Sequence, residues 1–400
     1  MNPLNTTAPL PLFGEIRPEH VEDAIRARLD EARLELDAIE LRLNEGDEPT
    51  YDGLVARIDR AAERLTLPWG TVGHLMAVKN SAALREAYEK MQPAVVELSM
   101  RFGQSRPVFK GLQAIRAHDD WHTLTPTQQR IVELSIRDAK LAGVALEGKK
   151  KERFNEIALE LSKLQTDFSN HVLDATKAYE LVLTERADIE GLPESVVGLL
   201  VAASNEANRS ATAEKGPWTV TLAYPSFVGF MKHSPRRDLR EKLYRAYVTR
   251  ASDGDIDNTP LLDRILSLRS EKAKLLGYDT FAALSLATKM APEIDSIFTL
   301  LEELRVASYD AAVRDVEDMK ALAAKSDLPE ATDFRPWDFH YWSERLREAR
   351  FDVREEEVRQ FFPMSRVLEG LFAVAKDLFG VTIREAKNRP SVWHDDVRFY

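Results

Sequence analysis

The residues most suggestive of chemistry are two histidines four apart, in the run His118-Asp119-Asp120-Trp121-His122. On a helix that spacing would set both imidazoles on one face, where they could hold a zinc ion, and an acid after the first histidine could activate a metal-bound water. The chemistry calls for Glu at that place, because its longer arm reaches the water, and the chain has Asp119 there. The flanks also argue against a continuous helix: Thr123-Leu124-Thr125-Pro126 follows at once, and such a sequence marks a connection between helices. The pair is therefore expected to be two surface histidines at a turn.

No His-Glu-x-x-His occurs elsewhere. The other histidines, His20, His74, His171, His233, His340 and His394, each stand alone. They are expected to pack or cap, because a catalytic zinc needs three ligands converging on one ion. There is no Gly-x-Ser-x-Gly elbow and no glycine-rich phosphate loop with its lysine. The absence of cysteine excludes a thiol nucleophile, thiolate metal sites and disulfides. The segment Phe334-Arg335-Pro336-Trp337-Asp338-Phe339-His340-Tyr341-Trp342 is dense in aromatics. It could line a peptide-binding wall, or be a helix start whose rings fill a core; the second is the expectation. No residue is assigned as catalytic, cofactor-binding or metal-ligating.

A formal net charge of −11 argues against a nucleic-acid partner, which needs a basic face. The short basic runs Lys149-Lys150-Lys151 and Arg236-Arg237 are expected to be solvated helix ends. No stretch is apolar for long enough to cross a membrane, and residues 1–9 carry neither a basic nor an apolar signal region. A cytoplasmic location is expected.

These residues must be positioned by helices. Val21, Ile25, Leu29, Leu36 and Ile39 recur at helical spacing after Pro18, and further helices are expected over 52–67 (closed by Pro68), 82–102, 126–142 and 150–179. Short connections suggest an antiparallel bundle. Leu181-Val182-Leu183 and 218–222 read as strands on either side of a helix over 193–208. Helices over 235–249, 261–276, 280–288, 292–325, 336–349, 355–362 and 364–378 follow. The runs 381–384 and 397–400 alternate apolar and polar residues as half-buried strands do. The fold class is thus mainly α, two-lobed, with lobes at 1–179 and 180–400.

Several stretches resemble a known family. They are Gly73-His74-Leu75-Met76-Ala77-Val78-Lys79-Asn80-Ser81 with Leu84-Arg85-Glu86-Ala87-Tyr88-Glu89; Val172-Leu173-Asp174-Ala175-Thr176; and Leu243-Tyr244-Arg245-Ala246-Tyr247 through Asp253. Leu275-Leu276-Gly277-Tyr278, Ser285-Leu286-Ala287-Thr288-Lys289-Met290-Ala291, Pro336-Trp337-Asp338 with Tyr341, Phe362-Pro363 and Val392-Trp393-His394-Asp395 through Phe399 continue the series in order. Together they resemble the oligopeptidase A / thimet oligopeptidase family of zinc metallopeptidases, bacterial oligopeptidase A above all. The resemblance implies a helical, two-lobed body around a channel that admits short peptides. It implies a zinc held by a His-Glu-x-x-His helix and a downstream Glu, with a Tyr and a His steadying the oxyanion; all of these lie beyond residue 400.

The expectation is therefore an amino-terminal portion of a cytosolic, monomeric peptide-degrading enzyme, without bound zinc or hydrolytic activity of its own. A strand ending at Phe399-Tyr400 would expose an edge, which points to truncation and to a tendency to aggregate. The competing expectation is a metal-free helical peptide-binding or scaffold module.

Overall fold

The computed structural model describes residues 2–6 and 10–400. The sequence reading of the amino terminus falls partly on positions 1 and 7–9, which lie outside the described residues. The fold is mainly α. In chain order the elements are α1 (Val21–Asn44), α2 (Ala56–Val78), α3 (Ala82–Gly103), α4 (Arg106–Ala117), α5 (Pro126–Leu141), α6 (Gly148–Ala178), β1 (Glu180–Leu183), α7 (Glu194–Glu206) and β2 (Trp218–Thr221). They continue with α8 (Tyr224–His233), α9 (Arg237–Val248), α10 (Thr259–Leu275), α11 (Phe281–Leu286), α12 (Ile294–Ala323), α13 (Phe339–Phe351), α14 (Glu355–Arg359) and α15 (Met364–Phe379).

The chain forms two compact units. The first comprises Met1–Gln165, Ser267–Phe281 and Ile383–Tyr400. Its organising element is α1, which packs against α2, α3 and α4. Val21, Ala24, Ile25, Leu29, Ala32, Leu36 and Ile39 are buried along one face, as the helical period requires. Pro68 does not close α2; it sits buried inside it. A proline within a helix costs about 3 kcal/mol. Leu65, Val72 and Leu75 lie on the same buried face, and burying each side chain contributes roughly 1.5–3 kcal/mol, so packing outweighs the break.

A helix absent from the expectations, α4, starts at Ser105, whose side chain accepts from the Val108 amide. Its buried stripe of Val108, Gly111, Leu112 and Ile115 is only two turns long. A Cβ on Gly111 would lie 2.7 Å from Leu54 Cδ2, so any larger residue there would have to push the buried Leu54 side chain aside. Thr125 and Gln128 cap α5 reciprocally.

The runs 381–384 and 397–400 form no strand. Between 386 and 399 a single backbone bond, Ala386 N–H to Phe399 O at 2.9 Å, takes the place of a ladder. The segment is held instead by aromatic packing and side-chain bonds. Trp393 lies edge-on to Phe13 and His74, the Gly14 amide donates to Ser391 Oγ at 2.9 Å, and Arg389 donates to the carbonyls of His394 and Asp395. Alternation here records packing rather than pairing.

The second unit comprises Thr166–Leu266 and Ala282–Thr382. β1 and β2 pair antiparallel with Glu180 opposite Thr221 and Leu183 opposite Trp218. The second unexpected helix, α8, directly follows β2 and buries Phe227, Phe230 and Met231. It completes a core with Leu181, Leu183, Leu200, Trp218, Val220 and Leu243. α13 packs on α8 and on α12. The far end of this unit is different. α12, thirty residues long, buries only Met319 and Ala323, and no residue of α15 is buried.

Candidate functional site

Polar and aromatic side chains gather in the second unit, where α8, α9 and α13 meet the turn Pro336–Asp338. The proline fixes the turn's first φ, and the Asp338 carboxylate accepts the Arg335 backbone N–H at 2.9 Å. On α9, Arg237 and Arg240 are three apart and share a face. Arg237 donates to Asp338 through Nε and Nη2, and Arg240 Nη2 donates to Asp338 Oδ1 at 2.9 Å and Glu330 Oε1 at 2.5 Å. Arg240 Nη1 donates to the Ser234 carbonyl at 2.8 Å. Arg240 and Asp338 are fully buried and Glu330 nearly so.

Aromatic rings wrap this charge cluster. The Arg240 guanidinium lies 4.4 Å from the centroid of the Tyr341 ring, and Arg245 lies 4.9 Å from that of Trp337. Phe227 stacks on Tyr247 at 3.9 Å, with His340 edge-on to Phe227. Trp342 packs with Met319 and Ala323. Of the segment 334–342, the Phe339 side chain is the exposed large apolar one. Asp338 receives four donors and has no access to solvent, so it is unsuited to take a proton from a substrate or water. The cluster does structural work: it fastens the 3-10 turn and the start of α13 to α9.

Two imidazoles border this region. Burial pushes His233 and His340 below their ordinary values. Lys232 Nζ pairs with Glu355 at 2.8 Å, and that bond holds the Glu355 carboxyl below its usual range.

The remaining histidines lie in caps, turns and packing contacts. His122 lies in a 3-10 turn, Asp119–Thr123, with His118 as its N-cap, so the pair does not share an α-helix. His118 Nδ1 accepts from the Asp120 amide at 3.1 Å, with Glu48 3.1 Å from Nε2, and His122 Nδ1 lies 2.7 Å from the Asp119 carbonyl. His20 and His394 each accept from a nearby amide, His171 bonds the Asn258 amide oxygen, and His74 lies against Phe13 and Trp393. Among the described residues, no three His, Cys, Asp or Glu side chains are grouped as ligands for one metal ion.

In the first unit, Arg101, Gln104, Ser105 and Arg106 border a cleft of about 590 Å³. Its walls bond to one another: Ser105 Oγ donates to Glu40 at 2.7 Å, and Gln104 Nε2 to Asn155 Oδ1 at 2.7 Å. The sequence reading missed the buried charge cluster. It placed Arg236-Arg237 at a solvated helix end, whereas Arg237 is spent on buried Asp338. The available signal was the pair Arg237 and Arg240 on the apolar side of α9, beside Leu243. No helix among the described residues is long and apolar enough to cross a membrane.

Comparison with known proteins sets this geometry in context. Residues 25–151 match the family described as Neurolysin/Thimet oligopeptidase, N-terminal domain, and residues 230–400 match Peptidase family M3. All 400 residues align at 46% identity with an organellar (chloroplastic/mitochondrial) oligopeptidase A of Arabidopsis thaliana, covering 50% of that protein. A probable cytosolic oligopeptidase A of the same plant is 45% identical with 56% covered, and oligopeptidase A of Escherichia coli is 36% identical with 58% covered. The chain thus spans little more than half the length of the curated relatives it matches. With matches running through both units, the chain is similar to peptidase family M3 and to the oligopeptidase A proteins along its whole length.

Proposed function

We propose that this chain is the amino-terminal portion of a zinc-dependent oligopeptidase that hydrolyses short peptides, and that it supplies a wall of the peptide channel in the complete enzyme. The observation that carries the reading is similarity to oligopeptidase A along all 400 residues of this chain, which span 50% and 58% of two such relatives. A zinc bound by the remainder of the enzyme would polarise the scissile carbonyl and activate water. The residues of this chain would bind and orient peptide, the aromatic edge at Phe339 being one contact surface. The proposed lobes follow the expected division into 1–179 and 180–400 only in outline, because the compact units divide at 165/166 and return 267–281 and 383–400 to the first. The acidic balance suits a protein that avoids nucleic acid, and a cytoplasmic monomer is the simplest form, although one relative is organellar.

The test is a chimaera in which this chain replaces the aligned segment of Escherichia coli oligopeptidase A. The reading expects zinc-dependent cleavage of a quenched short peptide, abolished by a chelator and restored by zinc. A chimaera that folds and retains zinc but cleaves no peptide refutes it, and favours a metal-free helical binding module instead.

A further inference from the structure

Exposed large apolar side chains are not spread evenly over the described residues. Most of them fall after position 289, and they concentrate on two helices of the second unit. On α12, Phe298 is 65% exposed, Leu301 54%, Leu304 56%, Val306 62% and Tyr309 57%. By helical geometry Phe298, Val306 and Tyr309 lie along one side, and Leu301 and Leu304 along the adjacent side. A helix apolar over so wide an arc is one that a folded protein buries. Phe298, Val306 and Ala307 also border a groove of about 650 Å³ on this helix.

α15 is amphipathic in a simpler way. Val367, Leu371, Val374 and Leu378 recur at the spacing of one helical face and are all exposed, Leu378 to 70%. Arg366, Glu369, Lys376 and Asp377 occupy the other side. Phe361 and Phe362 extend the apolar surface ahead of the helix, 74% and 64% exposed. Contiguous apolar surface of this extent marks an interface rather than ordinary solvent-facing scatter.

Resting on the reading proposed above, we infer that α12 and α15 form the docking surface for the part of the M3 peptidase that this chain does not match, the part that would carry the zinc. Three observations select that occupant. Both helices fall inside the segment that matches Peptidase family M3. The relatives hold nearly as much polypeptide again outside the aligned region, enough to cover two helices. The helices also carry Glu302, Glu303, Arg305 and Lys376 among their apolar residues, and neither is long and apolar enough to cross a membrane.

The test is to co-express the chain with the unmatched remainder of Escherichia coli oligopeptidase A and purify the pair. Hydrogen exchange then compares α12 and α15 in the chain alone and in the pair. Expected is a stable one-to-one complex in which amides of 298–309 and 364–379 are slowed at least tenfold. Leu301→Asp and Leu371→Asp should each weaken association more than tenfold, while Leu34→Asp on the solvent-facing side of α1 leaves it unchanged. A complex that forms without protection of these helices, or that tolerates both aspartates, overturns the inference. So does self-association of the chain through the same faces that the remainder fails to displace. Peptide cleavage is read separately: a protected complex that cleaves nothing sinks the peptidase reading and leaves the docking surface standing.

Discussion

Replacing Arg240 by Met should be among the most damaging single changes in the second unit. The side chain is fully buried and donates to Glu330 at 2.5 Å, Asp338 at 2.9 Å and the Ser234 carbonyl at 2.8 Å. The Coulomb attraction of the pairs does not measure their worth, because taking the charges out of water costs nearly as much. The cost of breaking them is larger, since it strands charge in the interior; one missing partner typically costs about 3–5 kcal/mol. Asp338 would keep Arg237 and the Arg335 amide, while Glu330 would lose the guanidinium it faces. The expected loss is therefore about 3 kcal/mol, and adding Glu330→Gln should return roughly 1–2 kcal/mol of it, within the usual range for coupled neighbours. Urea unfolding followed by tryptophan fluorescence at constant m-value measures both. A loss below about 1 kcal/mol for Arg240→Met, or strict additivity of the two changes, would refute the argument.

Other consequences are simpler to check. Trp342→Ala empties the small core beside Met319 and Ala323 and should cost about 3–5 kcal/mol in the same assay. His233 and His340 are held below their ordinary value of 6.5 by burial, so the unfolded chain binds protons more readily than the folded one. Stability should then fall as pH is lowered through 6.5 and go on falling until the folded-state values are passed. The double change His233→Gln, His340→Gln should flatten that slope in urea titrations run across the window; an unchanged slope would assign it to other groups.

Long periodic helices were legible without coordinates: α1, α3, α5 and α6 begin and end within a few residues of their sequence bounds, because one face repeats at three and four residues over many turns. Prolines were less informative. Pro126 starts α5, yet Pro68 lies within α2, since a buried face overrode a local rule. The short helices α4 and α8 escaped notice because two turns give little periodicity, and α8 begins where β2 has only just ended. The runs 381–384 and 397–400 failed for another reason: alternation needs a partner strand to become a ladder, and Trp393 packs on Phe13 and His74 instead. In 334–342 the core-filling reading held for Trp342, while the role of Asp338 depended on Arg237 and Arg240, about a hundred residues earlier, and no local pattern shows that.

The most direct measurement is the metal content and peptidase activity of the purified chain by itself. After dialysis against buffered zinc, elemental analysis should find well under one zinc per chain, and a quenched short peptide should remain intact. One tightly held zinc per chain, together with cleavage that a chelator abolishes, would show that these residues assemble a catalytic centre and would contradict the account.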